Sequence, residues 1–362
     1  MWGSKKYLKG LILGLVIIIC ATIGYYYKIY KNNDEKKDIK RIKIGLSMDS
    51  LVVERWQTDR DVFMAKVKEL GGETIVQNAG NNSNEQINQI KYLIAQEVDV
   101  LVIVPNDRDA LAPVVSMAQK KGIEVISYDR IIRKGNVDLY VTFDNERVGE
   151  LMGEALEKKV PKGNYIIING NKQDYNAIEF NQGYMKVLNS SIKSGDIKIV
   201  DEVWSKDWNE DEAIKSVEET IAKNIKIDGI VAANDTLAQA VIKVLSEHRL
   251  AGKVVVVGQD SDLAACQRVV EGLQLMTVYK PIVKMAQDAA EAAVKMAKGK
   301  KINSNGEIND GLVNVPVLRE YSTEVTKDNM VDIVVRNNFH RLEDIYRNIP
   351  QLEWPKDEAI SK

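Results

Sequence analysis

From Arg41 onward, short runs rich in Val and Ile alternate with longer segments whose apolar residues recur three and four positions apart. "RIKIGLSM", "GETIVQNA", "VDVLVIVP" and "IEVISYD" have the length and β-branched content of buried strands. Between them, "SNEQINQIKYLIAQE" sets Ile87, Ile90, Leu93 and Ile94 on one helical face, and Ser83 with Gln86 has the spacing of a capping box. The alternation resumes with "NYIIING", "IKIVDEVW", "DGIVAAND", "KVVVVGQD" and "LQLMTVYKP". Strands alternating with helices predict parallel sheets with helices on both faces. There are too many strands for one open sheet of ordinary size, so the pattern predicts two doubly wound α/β lobes.

In "VDLYVTFDNERVGE" a strand runs straight into a helix, which marks the crossing from one lobe to the other. The chain should return near Lys280 and Pro281 and cross again around "GEINDGLVNVPVL". The expected division is 42–144 plus 281–308 for the first lobe, 145–280 plus 309–345 for the second, and a tail over 346–362.

Ahead of the lobes the pattern changes. No charged residue occurs from Gly10 to Tyr27, about the minimum length for crossing a bilayer. Tyr25, Tyr26 and Tyr27 suit the headgroup interface. Residues 1–9 read as a tip, 10–30 as an uncleaved transmembrane helix and 31–41 as a charged linker. Lysines flank the span on both sides, and their count alone would put the large domain in the cytoplasm.

Composition narrows the function by exclusion. Net charge is −2 over 362 residues, which gives no basic face for a nucleic acid. Cys20 and Cys266 imply no disulfide framework, and His248 and His340 have no neighbours at metal-ligand spacing. There is no Gly-rich phosphate loop, Walker-type lysine loop, G-x-S-x-G elbow or H-E-x-x-H, so neither a cofactor nor a metal is expected and the chain does not read as an enzyme.

Ligands of open parallel sheets bind beyond the carboxyl ends of the strands. Here those ends carry Asp49, then Arg55 and Trp56; Asp129 and Arg130; Asp174 and Asn176; Trp208; Asn234 and Asp235; Asp260 and Asp262; and Lys280. Singly, an Asp or Asn after a strand is as well explained as a helix N-cap. Together, planar donors, carboxylates and two indoles form the chemistry of a sugar site. Each hydroxyl donates to a carboxylate and accepts from a cation or amide, while the C–H faces pack on Trp.

At these residues the sequence resembles the D-xylose-binding proteins of the periplasmic sugar-binding class. The shared strings are "ERWQTDRD", "VDVLVIVP", "SYDR", "FDNERVGEL", "VPKGNYIIING", "GQDSDLAA" and "MTVYKPI", in order from about Lys43 to His340. The resemblance implies two α/β lobes joined by a three-strand hinge and closing on one pyranose. It implies sugar contacts from Arg55, Trp56, Asp129 and Arg130 in the first lobe, and from Asp174, Asn176, Trp208, Asn234 and Asp260 in the second. Lys280 completes the set and Asp49 is an additional candidate; Trp56 and Trp208 would sandwich the ring. Sugar arrives from outside, so the resemblance places the domain extracytoplasmically despite the lysine count. A protein anchor in place of a released carrier leads to the expectation of a D-xylose receptor signalling to a membrane sensor kinase. The alternative is the capture subunit of an ABC-type xylose importer.

Overall fold

The computed structural model describes residues 17–28 and 41–355. The chain divides into two units, Met1–Arg41 and Ile42–Lys362. Within the first, residues 17–28 form an exposed helix, α1. Among the described residues no helix is long and apolar enough to cross a membrane. The expected 10–30 anchor is thus represented only by α1, and its remainder, the 1–9 tip and nearly all of the 31–41 linker lie outside the described residues.

The second unit alternates strands and helices as its sequence predicts. The first sheet takes β1 (Lys43–Met48), β2 (Glu73–Asn78), β3 (Val100–Ile103), β4 (Glu124–Tyr128), β5 (Leu139–Phe143), β11 (Gly306–Asn309) and β12 (Asn314–Glu320), in the order β11-β12-β5-β4-β3-β1-β2. All pairs are parallel except the β11–β12 hairpin. One face buries Ile44, Val102 and Ile126 with Phe63 of α2 (Glu54–Glu69) and Met285 and Ala289 of α10 (Ile282–Ala297). The other meets α3 (Ser83–Ala95) and α4 (Ala112–Gln119) through Ile90, Leu93 and Val115.

The second sheet is smaller and all parallel: β6 (Gly163–Asn169), β7 (Ile197–Trp204), β8 (Gly229–Ala232) and β9 (Val255–Val257), ordered β7-β6-β8-β9. Helices α5 (Asn145–Lys159) and α6 (Tyr175–Ser194) cover one face; α7 (Asp211–Ala222) and α8 (Asp235–Glu247) cover the other. Two glycines let α5 and α6 touch. A Cβ on Gly149 would lie 2.1 Å from the Phe180 carbonyl oxygen, and one on Gly183 would lie 2.1 Å from that of Glu146. Only hydrogen at these positions permits the approach that fixes the start of α6 at the lobe boundary.

Three passages join the lobes: β5 into α5, β10 (Thr277–Tyr279) into α10, and β12 into β13 (Thr323–Val325), which pairs with β10. The last passage departs from the sequence reading. β12 pairs in parallel with β5, so residues 309–320, assigned by pattern to the second lobe, extend the first sheet. Alternation alone does not reveal which sheet accepts an edge hairpin.

The capping box also gives way. Asn82 caps α3 by accepting from the Glu85 amide at 3.0 Å. Gln86 is buried instead, donating to the Val104 carbonyl at 2.7 Å. Beyond β13 the chain packs in places as far as Trp354, while Leu352 is fully exposed. Ile345, in the short helix α11 (Leu342–Ile345), and Tyr346 join Cys266, Val269 and Val270 of α9 (Leu263–Glu271) in one apolar cluster. His340 is half-buried with Nε2 2.8 Å from the Ser261 carbonyl oxygen.

Candidate functional site

The strands of both sheets end on one cleft. Its cavity has a volume of about 490 Å³, and all eleven sequence candidates line it: Asp49, Arg55, Trp56, Asp129, Arg130, Asp174, Asn176, Trp208, Asn234, Asp260 and Lys280. They come from loops far apart in sequence, brought together because parallel strands direct their carboxyl ends the same way.

Local structure aims them. Asp174 and Asn234 are the N-caps of α6 and α8, accepting from the Asn176 amide at 3.0 Å and the Leu237 amide at 2.9 Å. The cap and ligand readings are therefore compatible, since a capping carboxylate or amide keeps lone pairs or N–H groups for the cleft. Asp129 and Asp260 sit at φ 63° and 111°, a region L-residues seldom occupy. Asp129 is held there through its carbonyl, which accepts from Tyr140 Oη and Thr142 Oγ1, both at 2.9 Å.

The charges alternate. Arg130 pairs with Asp49 in its own lobe, and its Nε lies 2.7 Å from Asp174 Oδ2 in the other. Arg55 pairs with Asp129 and lies 3.9 Å from Asp260 Oδ1, which Lys280 Nζ approaches at 2.5 Å. Asn176 reaches back from the second lobe to donate to Asp129 Oδ1 at 2.9 Å. The Arg55 guanidinium carbon stands 4.5 Å from the Trp56 ring centre and that of Arg130 5.4 Å, so Trp56 presents a face that two cations already recognise. Arg55 and Trp56, adjacent in "ERW", thus form an amphipathic wall.

Burial and ion pairing oppose each other in setting the protonation. Burial alone would raise Asp129, but Arg55, Lys280 and Arg130 hold that carboxyl below its usual range. Asp174 is raised by burial, with Arg130 opposing. Both guanidiniums would be lowered by burial, yet their carboxylates hold them above the ordinary arginine value. Arg55 Nε, Arg130 Nε and Asp260 Oδ1 are buried with no aligned hydrogen-bond partner. Each still sits in an ion pair, with Asp59, Asp174 and Lys280 respectively, so a polyol hydroxyl would share these charged groups rather than meet free ones.

Several participants escaped the sequence reading. Phe180, one helical turn beyond Asn176, lines the cavity, and Lys280 Nζ lies 5.7 Å from its ring centre. The i, i+4 spacing from Asn176 was the available signal. Gln259 also lines the cavity, with Nε2 3.0 Å from the Ala233 carbonyl and 3.2 Å from Asp260 Oδ2. Behind Arg55, buried Asp59 accepts from Tyr128 Oη and lies 3.5 Å from Arg55 Nε; burial pushes its carboxyl up to about 6.

Two hinged α/β lobes around a cleft of this chemistry define a solute-binding protein. Residues 44–301 match the family described as "Periplasmic binding protein domain", and the chain belongs to that family. It is 44% identical over 319 residues to a D-xylose-binding periplasmic protein of Haemophilus influenzae, covering 88% of this chain and 95% of the relative. A protein of the same name from Escherichia coli K12 is 44% identical over 303 residues, covering 83% and 92%. Among solved structures, a carbohydrate transporter solute-binding protein from Chloroflexus aurantiacus in complex with D-glucose superposes with a TM-score of 0.78 at 27% identity, over 84% of this chain and 97% of that one. An ABC transporter solute-binding protein from Clostridium phytofermentans with bound β-D-glucose gives 0.77 at 27% identity, over 84% and 99%.

Proposed function

We propose that this protein captures D-xylose outside the cytoplasm and delivers it to an ABC-type importer. The carrying observation is the alternation of ionised groups across the cleft, with Arg130 between Asp49 of one lobe and Asp174 of the other and both indoles lining the same cavity. A pyranose between Trp56 and Trp208 would use its C–H faces on the rings and its hydroxyls on Asp129, Arg130, Asp174, Asn234 and Asp260. Bonds to charged groups contribute roughly 1.5–3 kcal/mol each. A handful, less the cost of ordering two lobes, gives micromolar affinity at about −8 kcal/mol. Sugar that touches both lobes stabilises the closed form over the open one, and closure is the signal a membrane partner reads.

On the partner, the sensor-kinase reading gives way to its alternative. Two solved structures 27% identical to this chain are named as transporter solute-binding proteins, which supports the importer reading. The apolar run over 10–30 would hold the capture domain at the membrane surface, and the sugar site does not depend on it.

Titration calorimetry of the full chain against D-xylose, glucose, ribose and arabinose tests the reading. One D-xylose per chain at micromolar affinity or tighter is expected, with the other sugars at least about tenfold weaker, an energy gap of about 1.4 kcal/mol. Tight binding of another pentose with none of D-xylose would end the assignment.

A further inference from the structure

The Trp208 indole rests on bare backbone. A Cβ built on Gly170, the residue after β6, would lie 2.2 Å from Trp208 Cη2, 2.4 Å from Cζ3 and 2.5 Å from Cζ2, and these are its three nearest neighbours. Gly170 is not among the residues with positive φ, so alanine there meets the indole and no backbone penalty. The glycine serves the ring.

The ring is carried by an unusual segment. Asp207 and Trp208 have φ of 51° and 60°, a left-handed pair after β7 that non-glycine residues adopt only under constraint. The constraints come from the loop just after Gly170. Asn171 Nδ2 donates to Asp207 Oδ1 at 3.3 Å, and Trp208 Nε1 donates to Asp174 Oδ2 at 3.2 Å. That same Asp174 oxygen faces Arg130 Nε of the other lobe at 2.7 Å. Ring position, the α6 cap and the bridge across the cleft are therefore one mechanical unit.

We infer that Gly170 is a specificity-positioning residue: by letting the Trp208 ring lie on the β6–α6 backbone, it sets the width of the cleft to one pyranose. A methyl at residue 170 would push the ring from 2.2 Å out to at least the 3.4 Å of ordinary contact, about 1.2 Å. The displaced ring alters the cavity wall it lines and pulls on its bond to Asp174. This rests on the sugar-site reading, and its test includes one arm that needs no sugar.

The experiment compares the full-length wild type, Gly170→Ala, Trp208→Phe and the double variant, by D-xylose calorimetry and by acrylamide quenching of tryptophan emission without sugar. Phenylalanine lacks the outer indole atoms that a Cβ would strike. Gly170→Ala should weaken D-xylose binding at least about tenfold, the size of an overpacking effect. In the Trp208→Phe background the same change should alter affinity by less than about twofold, since the two residues act as one unit. In the absence of sugar, the Trp208 share of the emission, wild type minus Trp208→Phe, should become more quenchable when residue 170 is alanine. Wild-type affinity in Gly170→Ala, an equal loss in both backgrounds, or unchanged quenching would overturn the inference. A wild type that binds no D-xylose while quenching rises would count against the sugar assignment and leave the glycine's role standing.

Discussion

Replacing Arg130 by alanine is expected to cost about 3–5 kcal/mol of folding stability, because it strands two carboxylates that the fold buries. Asp49 is 4% and Asp174 3% exposed, and Arg130 pairs with both. Asp49 keeps the Asn106 amide at 2.7 Å, and Asp174 keeps the Asn176 amide and the Trp208 indole N–H. None of these carries charge, so the desolvated carboxylates lose their counterion. D-xylose affinity should fall with stability, by roughly 30-fold or more, since one member of a buried charge pair that bridges the lobes is gone. Arg130→Lys should recover only part of both losses: one ammonium cannot hold Asp49 and Asp174 with the geometry of a planar fork. Urea unfolding and calorimetry on the two variants measure this. Alanine at 130 with wild-type stability would mean that the bridge does not constrain the cleft.

Asp260→Ala should weaken D-xylose binding at least about tenfold, the lower end for bonds to a charged group. Lys280 is 2% exposed and its ammonium lies 2.5 Å from Asp260 Oδ1, so removal leaves a buried cation as well as a lost acceptor. The backbone complicates the alanine, because φ at 260 is 111°. Asp260→Gly separates the effects: it relieves the dihedral yet should bind as poorly as alanine. A glycine variant with wild-type affinity would remove the carboxylate from the site.

The site was legible because its positions are dictated by topology. Parallel strands put every loop at their carboxyl ends on one rim. The residues just past "GLSM", "VISY", "IVAA" and "VVVVG" therefore include Asp49, Asp129, Asn234 and Asp260, found without any tertiary information. The resemblance in "ERWQTDRD" and "GQDSDLAA" added Arg55 and Trp56 to the expected sugar contacts and an expected role for Asp260.

The features that stayed hidden depend on pairing or on absence. The β11–β12 hairpin joins the first sheet through contacts with β5 that no periodicity encodes. Gln86 matched a capping pattern but was drawn inward by the Val104 carbonyl. Asp59 lies one helical turn beyond Arg55 and acts from behind it, looking in sequence like one more charge on an exposed face. Gly170 contributes by having no side chain, so no chemical group marks it in the sequence.

The central claim is that one monosaccharide is enclosed between the lobes, and a crystal structure grown with D-xylose tests it most directly. A single pyranose should lie between the Trp56 and Trp208 rings, with hydroxyls within about 3 Å of Asp129, Arg130, Asp174, Asn234 and Asp260. A sugar bound elsewhere, or indoles turned away from an unfilled cleft at saturating D-xylose, would contradict it.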